Sequence, residues 1–180
     1  MNQLINSSLY DKLNTRLEEI IKSNVDNSAQ LRLIQIIASN KKYTNFVDLG
    51  TREGNSLLAL VLAAIKNEGF VYTIDVEKSR ILWEDAESAK YFHKIIGDDL
   101  GIEIPFAEID VLSIDTSHTY EHTLKELAKW VPKIRSGGVV LLHDTISHPT
   151  VVSAIKYFIF NKDYTFINDA AQNGMGVIYI

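Results

Sequence analysis

The stretch VDLGTREGNS, residues 47–56, decides the fold. It completes a short apolar run, Phe46-Val47-Asp48-Leu49, that stops at Gly50 and is followed by a helical pattern over residues 55–66. A buried strand, a glycine turn and a helix in that order leave amide groups facing outward at the helix start. Gly50 and Gly54 let the backbone approach a ligand closely, and those amides can face an anion. A second apolar run, residues 70–74, ends at Asp75, about twenty residues beyond Gly54. An acid at that strand end can accept hydrogen bonds from both hydroxyls of a ribose. The glycines alone read equally well as a tight turn. With Asp75 they point to a cofactor that contains adenosine.

Outward from this unit the alternation continues. A helix is expected within residues 77–90 and a third strand at 92–96, ending at Gly97-Asp98. A fourth strand at 111–114 ends at Asp115, and a helix follows at 120–131, with Tyr120, Leu124, Leu127 and Val131 on one face. Pro132 and Gly137-Gly138 break the chain before a fifth strand at 139–142, which ends at His143-Asp144. A helix at 151–160 and strands at 164–167 and 177–180 complete the pattern. Strands alternating with helices predict an α/β fold with a doubly wound, mostly parallel sheet of seven strands. The polar and glycine-rich link between the last two strands is too short for a parallel crossover, so that pair is expected to be antiparallel. Before all this, Leu9, Leu13, Leu17, Ile20 and Ile21 mark one helix, with Ser7 and Ser8 as its caps, and Leu31, Ile34, Ile37 and Ala38 mark a second. The expected organisation is one domain, 1–180, with helices in 1–42, as a packing layer or a lid, ahead of a cofactor-binding core at 43–180.

Composition narrows the classes. The chain has 180 residues, 46% hydrophobic and 23% charged, as in an ordinary globular protein. Lys plus Arg is 18 against 23 Asp plus Glu, for a net charge of -5, so nothing favours a phosphate backbone and nucleic acid is not an expected partner. There is no cysteine, which removes disulfides, thiolate metal sites and cysteine nucleophiles. The N-terminus lacks the basic-then-apolar pattern of a signal peptide. The longest apolar stretch, residues 56–65, is far short of the roughly 20 residues a membrane span needs. A cytoplasmic protein without a membrane partner is the expectation. Oligomeric state is not legible, although the N-terminal helices could pair between chains.

The loop G-T-R-E-G places Arg52 where a diphosphate-binding loop would have its middle glycine. Asp48, inside the strand end, suits a cationic ligand better than a diphosphate. On these residues the chain resembles the class I S-adenosylmethionine-dependent methyltransferases, from about Phe46 onward. That resemblance implies a Rossmann-like sheet with an antiparallel C-terminal strand. It also implies cofactor binding by Asp48, Gly50, Thr51, Gly54 and Ser56 of the first loop, by Asp75 at the ribose, and by Asp98 near the adenine amino group, with Asp99 a rival.

Two further stretches carry chemistry, IDTSHTYEHTLKELAKW at 114–130 and GGVVLLHDT at 137–145. If the fourth and fifth strands are neighbours, Asp115, His143 and Asp144 converge and could hold a divalent cation with open positions. His118, on the loop after Asp115, could accept a proton from a substrate hydroxyl. Asp115 and Asp144 read alternatively as helix caps. His122 reads as solvated, and His93 and His148 as residues without evident partners. The pattern Asp115, His118, Tyr120, Glu126-Leu127, Gly137-Gly138 and His143-Asp144 resembles the metal-dependent small-molecule and sugar O-methyltransferases, in the branch of macrolide and cephalosporin-biosynthesis enzymes. That branch implies magnesium at Asp115 and Asp144, His118 as base, and a small-molecule or sugar hydroxyl as acceptor. It often has Glu where this chain has His143. A nitrogen donor there points to a softer ion such as manganese, to a His143 outside the ligand set, or to a lost site. The rival readings are a nicotinamide oxidoreductase on a similar sheet and a non-catalytic cofactor-binding or interaction module.

Overall fold

Alternate residues of the central strands divide between two apolar layers, one on each side of a single sheet. Phe46, Val71, Val111, Val139 and Leu141 face one layer, and Val47, Leu49, Ile74, Leu112, Val140 and Leu142 face the other. Strands buried on both faces explain the unbroken apolar runs. The computed structural model describes residues 2–23 and 28–180. The elements in chain order are α1 (Asn2–Lys22), α2 (Ser28–Ala38), β1 (Asn45–Leu49), α3 (Asn55–Asn67), β2 (Phe70–Asp75), β3 (Phe92–Ile96), β4 (Ile109–Ile114), α4 (Tyr120–Trp130), β5 (Ile134–His143), α5 (Pro149–Ile159), β6 (Thr165–Asp169) and β7 (Met175–Tyr179).

The seven strands lie in the order β3-β2-β1-β4-β5-β7-β6. Pairings from β3 to β5 are parallel, while β7 runs antiparallel to both β5 and β6. After β1 the chain winds outward through β2 and β3, then returns to place β4 on the other side of β1. The order in which strands are added therefore reverses between β1 and β4, and a crevice opens beyond their carboxyl ends.

Every residue of α3 from Ser56 to Ile65 is buried. A helix apolar on all sides must be covered on all sides. Leu9, Leu13, Leu17 and Ile20 of α1 and Leu31 and Ile34 of α2 share a core with it, so these two helices form a layer over α3. Among the described residues no helix is long and apolar enough to cross a membrane.

Four expectations change. Ser7 and Ser8 do not cap α1, because the helix begins at Asn2 and runs through them. Residues 77–90 contain only a 3-10 turn, Ser88–Lys90. There the Asp85 carboxylate accepts from the amides of Glu87 and Ser88, at 3.0 and 2.8 Å, and this local bonding competes with a helix. Trp83 is used singly, its Nε1 donating to the Gly54 carbonyl at 3.0 Å. Gly137-Gly138 does not break the chain but lies inside β5, which is longer than its apolar run and shifts register against β4 between Ile109 and Val111. On α4 the buried face is Thr123, Glu126, Leu127 and Trp130, with Leu124 only half-buried.

Candidate active site

Gly50 sits at the switch point with φ +90, and a Cβ there would lie 2.0 Å from the carbonyl oxygen of Asp115. Glycine is required because the β1 loop and the end of β4 close on each other. Gly54, with φ +80, begins α3 and packs under Ile81 and Trp83. Beyond these turns lies a cleft of about 400 Å³ lined by Gly50, Asp75, Asp98, Asp99, Asp115 and His122, with Arg52, Thr116 and Ser117 among its other walls.

Three of the seven expected cofactor residues, Gly50, Asp75 and Asp98, line this cleft. Asp75 Oδ2 accepts from the Arg52 amide and Oδ1 from the Glu77 amide, at 2.8 and 2.9 Å, which fixes its carboxylate at the rim. Asp98 is exposed and accepts from the Leu100 amide at 2.9 Å. Asp48, Thr51, Gly54 and Ser56 are buried and do not line the cleft. Asp48 is fully buried, and its Oδ2 accepts from Thr73 Oγ1 at 2.9 Å, while the Thr73 and Thr51 hydroxyls are 2.6 Å apart. Burial pushes the Asp48 carboxyl up to about 7, against the hydroxyls of Thr73, Ser56 and Ser113 and aided by the charge of Asp115.

Asp115 also belongs to a second group, on the ends of β4 and β5. Ligand atoms of Asp115, His143 and Asp144 lie within 4.8 Å of one another, all buried or nearly so. His143 Nδ1 is 3.3 Å from Asp144 Oδ2 and 3.5 Å from Asp115 Oδ1. His118 Nε2 is 2.7 Å from Asp144 Oδ2 and 3.4 Å from Asp115 Oδ1. Burial works to raise the Asp115 carboxyl, but hydrogen bonds from His118 and His143 hold it well below the usual range. The bond to Asp115 raises His118, against its burial and with the charge of Asp144 adding.

Neither acid is a helix cap. Thr119 caps α4, its hydroxyl accepting from the His122 amide at 3.3 Å. Asp144 has φ +63, a left-handed conformation that aspartate tolerates better than most residues. Its Oδ1 accepts from Ser147 Oγ at 2.5 Å, which leaves Oδ2 to face the histidines. Two carboxylates and one imidazole converging from two strand ends, in a buried position, fit a divalent cation, and the nitrogen donor fits manganese at least as well as magnesium.

His122 does not ride outward. It lines the cleft, its Nε2 3.4 Å from Asp99 Oδ1 and 3.5 Å from Glu126 Oε1. The spacing of His122 and Glu126, four apart on one helix, was the available signal. His93 meets Tyr72 edge to face, and the His148 ring stacks on His118, a contact between distant loops that no local spacing reveals.

Solved structures with a similar fold include the O-methyltransferase TomG from Streptomyces achromogenes, involved in tomaymycin synthesis and seen with S-adenosylmethionine. It is 20% identical, with a TM-score of 0.64 over 85% of this chain and 80% of that one. A methyltransferase from Podospora anserina, bound to S-adenosylhomocysteine, is 12% identical, with a TM-score of 0.66 over 94% and 87%. A methyltransferase from Geobacter sulfurreducens is 17% identical, with a TM-score of 0.69 over 93% and 88%. No curated protein matches the chain in sequence. The methyltransferase domain family matches residues 47–145, from the strand before the first glycine loop to the turn after His143-Asp144. The match takes in the cleft and the cluster beside it, and the chain belongs to that methyltransferase domain family.

Proposed function

We propose that the protein transfers a methyl group from S-adenosylmethionine to a hydroxyl of a small molecule or sugar, with a divalent metal, magnesium or manganese, at Asp115, His143 and Asp144. The observation that carries this reading is the double membership of Asp115. It lines the cleft that begins at Gly50 and Asp75, and it belongs to the histidine–aspartate cluster at the adjoining strand end. Donor and acceptor would thus meet at one residue.

Asp75 offers its carboxylate to the ribose hydroxyls, and Asp98, or the more buried Asp99, faces the adenine. Asp48 supports the loop from beneath through Thr73 and Thr51. A cation held by Asp115, His143 and Asp144 would lower the pKa of an acceptor hydroxyl. His118 Nε2 donates to Asp144, which leaves Nδ1 as the ring nitrogen that takes the hydroxyl proton. The acceptor oxygen then forms a bond to the methyl carbon while the carbon–sulfur bond breaks. Its electron pair goes to sulfur, giving S-adenosylhomocysteine. Holding the two reactants in line supplies much of the rate. The TomG and Podospora structures, which carry S-adenosylmethionine and S-adenosylhomocysteine, support the cofactor.

Calorimetry with S-adenosylhomocysteine, in the presence and absence of manganese or magnesium, tests this. Saturable binding of the nucleoside, and of metal separately, is expected. Binding of a nicotinamide dinucleotide in its place would overturn the reading.

A further inference from the structure

Glu126 is a fully buried acid on a helix face otherwise made of Thr123, Leu127 and Trp130. It does not line the cleft, yet it touches residues that do. Its Oε1 accepts from Thr116 Oγ1 at 2.5 Å and lies 3.5 Å from His122 Nε2. His122 Nε2 in turn lies 3.4 Å from Asp99 Oδ1, and Asp99 Oδ2 accepts from Trp130 Nε1 at 3.4 Å. Thr116 belongs to the loop after β4, His122 to α4, and Asp99 to the loop after β3. Three pieces of chain that form one wall of the cleft are thus joined, the first two through Glu126 and the third through His122.

An apolar residue would fill this position without the cost of burying a carboxyl. The acid is therefore informative. Its Oε2 has no hydrogen-bond partner among the described residues. A proton there makes the group neutral and leaves Oε1 as the acceptor for Thr116. Burial pushes the carboxyl up to about 8, with the Thr116 hydrogen bond opposing and the charges of Asp99 and Asp98 adding, so the neutral form prevails at pH 7.

We propose that Glu126 is a positioning residue for the nucleoside cleft, holding Thr116 and His122 in place as its wall and so setting cofactor affinity from a site that the cofactor does not touch. This rests on the reading of the cleft as the S-adenosylmethionine site. The test is S-adenosylhomocysteine affinity by calorimetry for the unaltered protein, Glu126→Leu and Glu126→Gln, with circular dichroism and melting temperature alongside. Glu126→Leu keeps an apolar filling but removes the acceptor, and should weaken binding roughly ten-fold or more. Glu126→Gln keeps an oxygen for Thr116 in a neutral group of the same shape, and should recover most of that loss. Unchanged affinity in a natively folded Glu126→Leu protein would overturn the proposal, as would an equal loss in Glu126→Gln. Should Glu126→Leu not fold, Thr116→Val decides, since it removes the same hydrogen bond from the other side. A several-fold loss supports the proposal and unchanged affinity overturns it. Absence of binding in the unaltered protein would instead remove the cofactor reading itself.

Discussion

The imidazoles of His118 and His148 lie face to face, with ring centroids 4.3 Å apart and planes 19° apart. One comes from the loop before α4 and the other from the residue that precedes α5. The Thr150 hydroxyl, in the first turn of α5, donates to the His118 carbonyl at 2.7 Å, so the loop that carries His118 is tied to that helix start by a second contact. These supports would give His118 the precision that its proposed role as base requires.

His118→Ala should cut methyl transfer by roughly 10²–10⁴-fold, the usual worth of a positioned base, while S-adenosylhomocysteine affinity barely moves. His122→Ala should do the opposite, weakening the nucleoside and sparing turnover at saturating cofactor, because His122 lines the cleft. Steady-state kinetics beside calorimetry separates the two. Equal losses of turnover from both would leave the base assignment without support.

Asp75→Ala should weaken S-adenosylhomocysteine by at least one to two decades, since even one hydrogen bond to a charged group is worth about 1.5–3 kcal/mol. The fold should survive, because what Asp75 holds in the protein is a rim of two amides and the Ser79 hydroxyl. Calorimetry with circular dichroism measures both. Unaltered affinity in a native protein would remove Asp75 from the ribose.

Asp115→Asn keeps the side-chain volume and removes one charge from the cluster. Manganese binding should fall steeply and turnover with it, while S-adenosylhomocysteine binding falls much less, because asparagine still fills the cleft wall that Asp115 forms. Full turnover in excess chelator would show that the cluster works without an ion.

The buried acid at 126 makes stability depend on pH. The folded protein holds a proton on Glu126 up to about pH 8, whereas an unfolded chain releases it near the ordinary value of 4.5. The unfolded state thus binds fewer protons in that window, and stability from this group falls as pH rises from 4.5 to 8. Urea midpoints for Glu126→Gln should decline less across that range than those of the unaltered protein. Parallel declines would show that Glu126 is ionised in the fold.

Gly50→Ala should be severely destabilising. The left-handed φ and the clash with the Asp115 carbonyl together should cost about 3 kcal/mol or more, a fall in Tm of roughly 6–12 °C. A melting temperature within a degree or two of the unaltered protein would show that the two loops separate readily.

The five parallel strands were legible because buried parallel strands are written as apolar runs with an acid or glycine at the end, and the short link between the last two gave their antiparallel pairing. Asp75 and Asp115 were legible for the same reason. Residues 77–90 misled because their apolar members, Ile81 and Trp83, anchor a loop to Gly54 one at a time, and spacing alone does not distinguish that from a helix face. The roles of Asp48 and Thr51 depend on which way a loop side chain turns. His148 reaches the site only because α4 and α5 pack side by side, a relation between elements far apart in sequence. Glu126 stood in the motif that suggested the branch, but its burial and its link to His122 are properties of the packed helix.

The antiparallel strand β7 lies between β5 and β6. A ribosome therefore releases β6 before the strand through which it joins the sheet. A nascent chain paused at the turn around Gly174 would display two open edges, that of β5 and that of β6, each with unpaired backbone groups. The five residues Met175–Tyr179 close both at once. Until they emerge, both edges remain open to pairing with a neighbour, which is a feature a chaperone could hold.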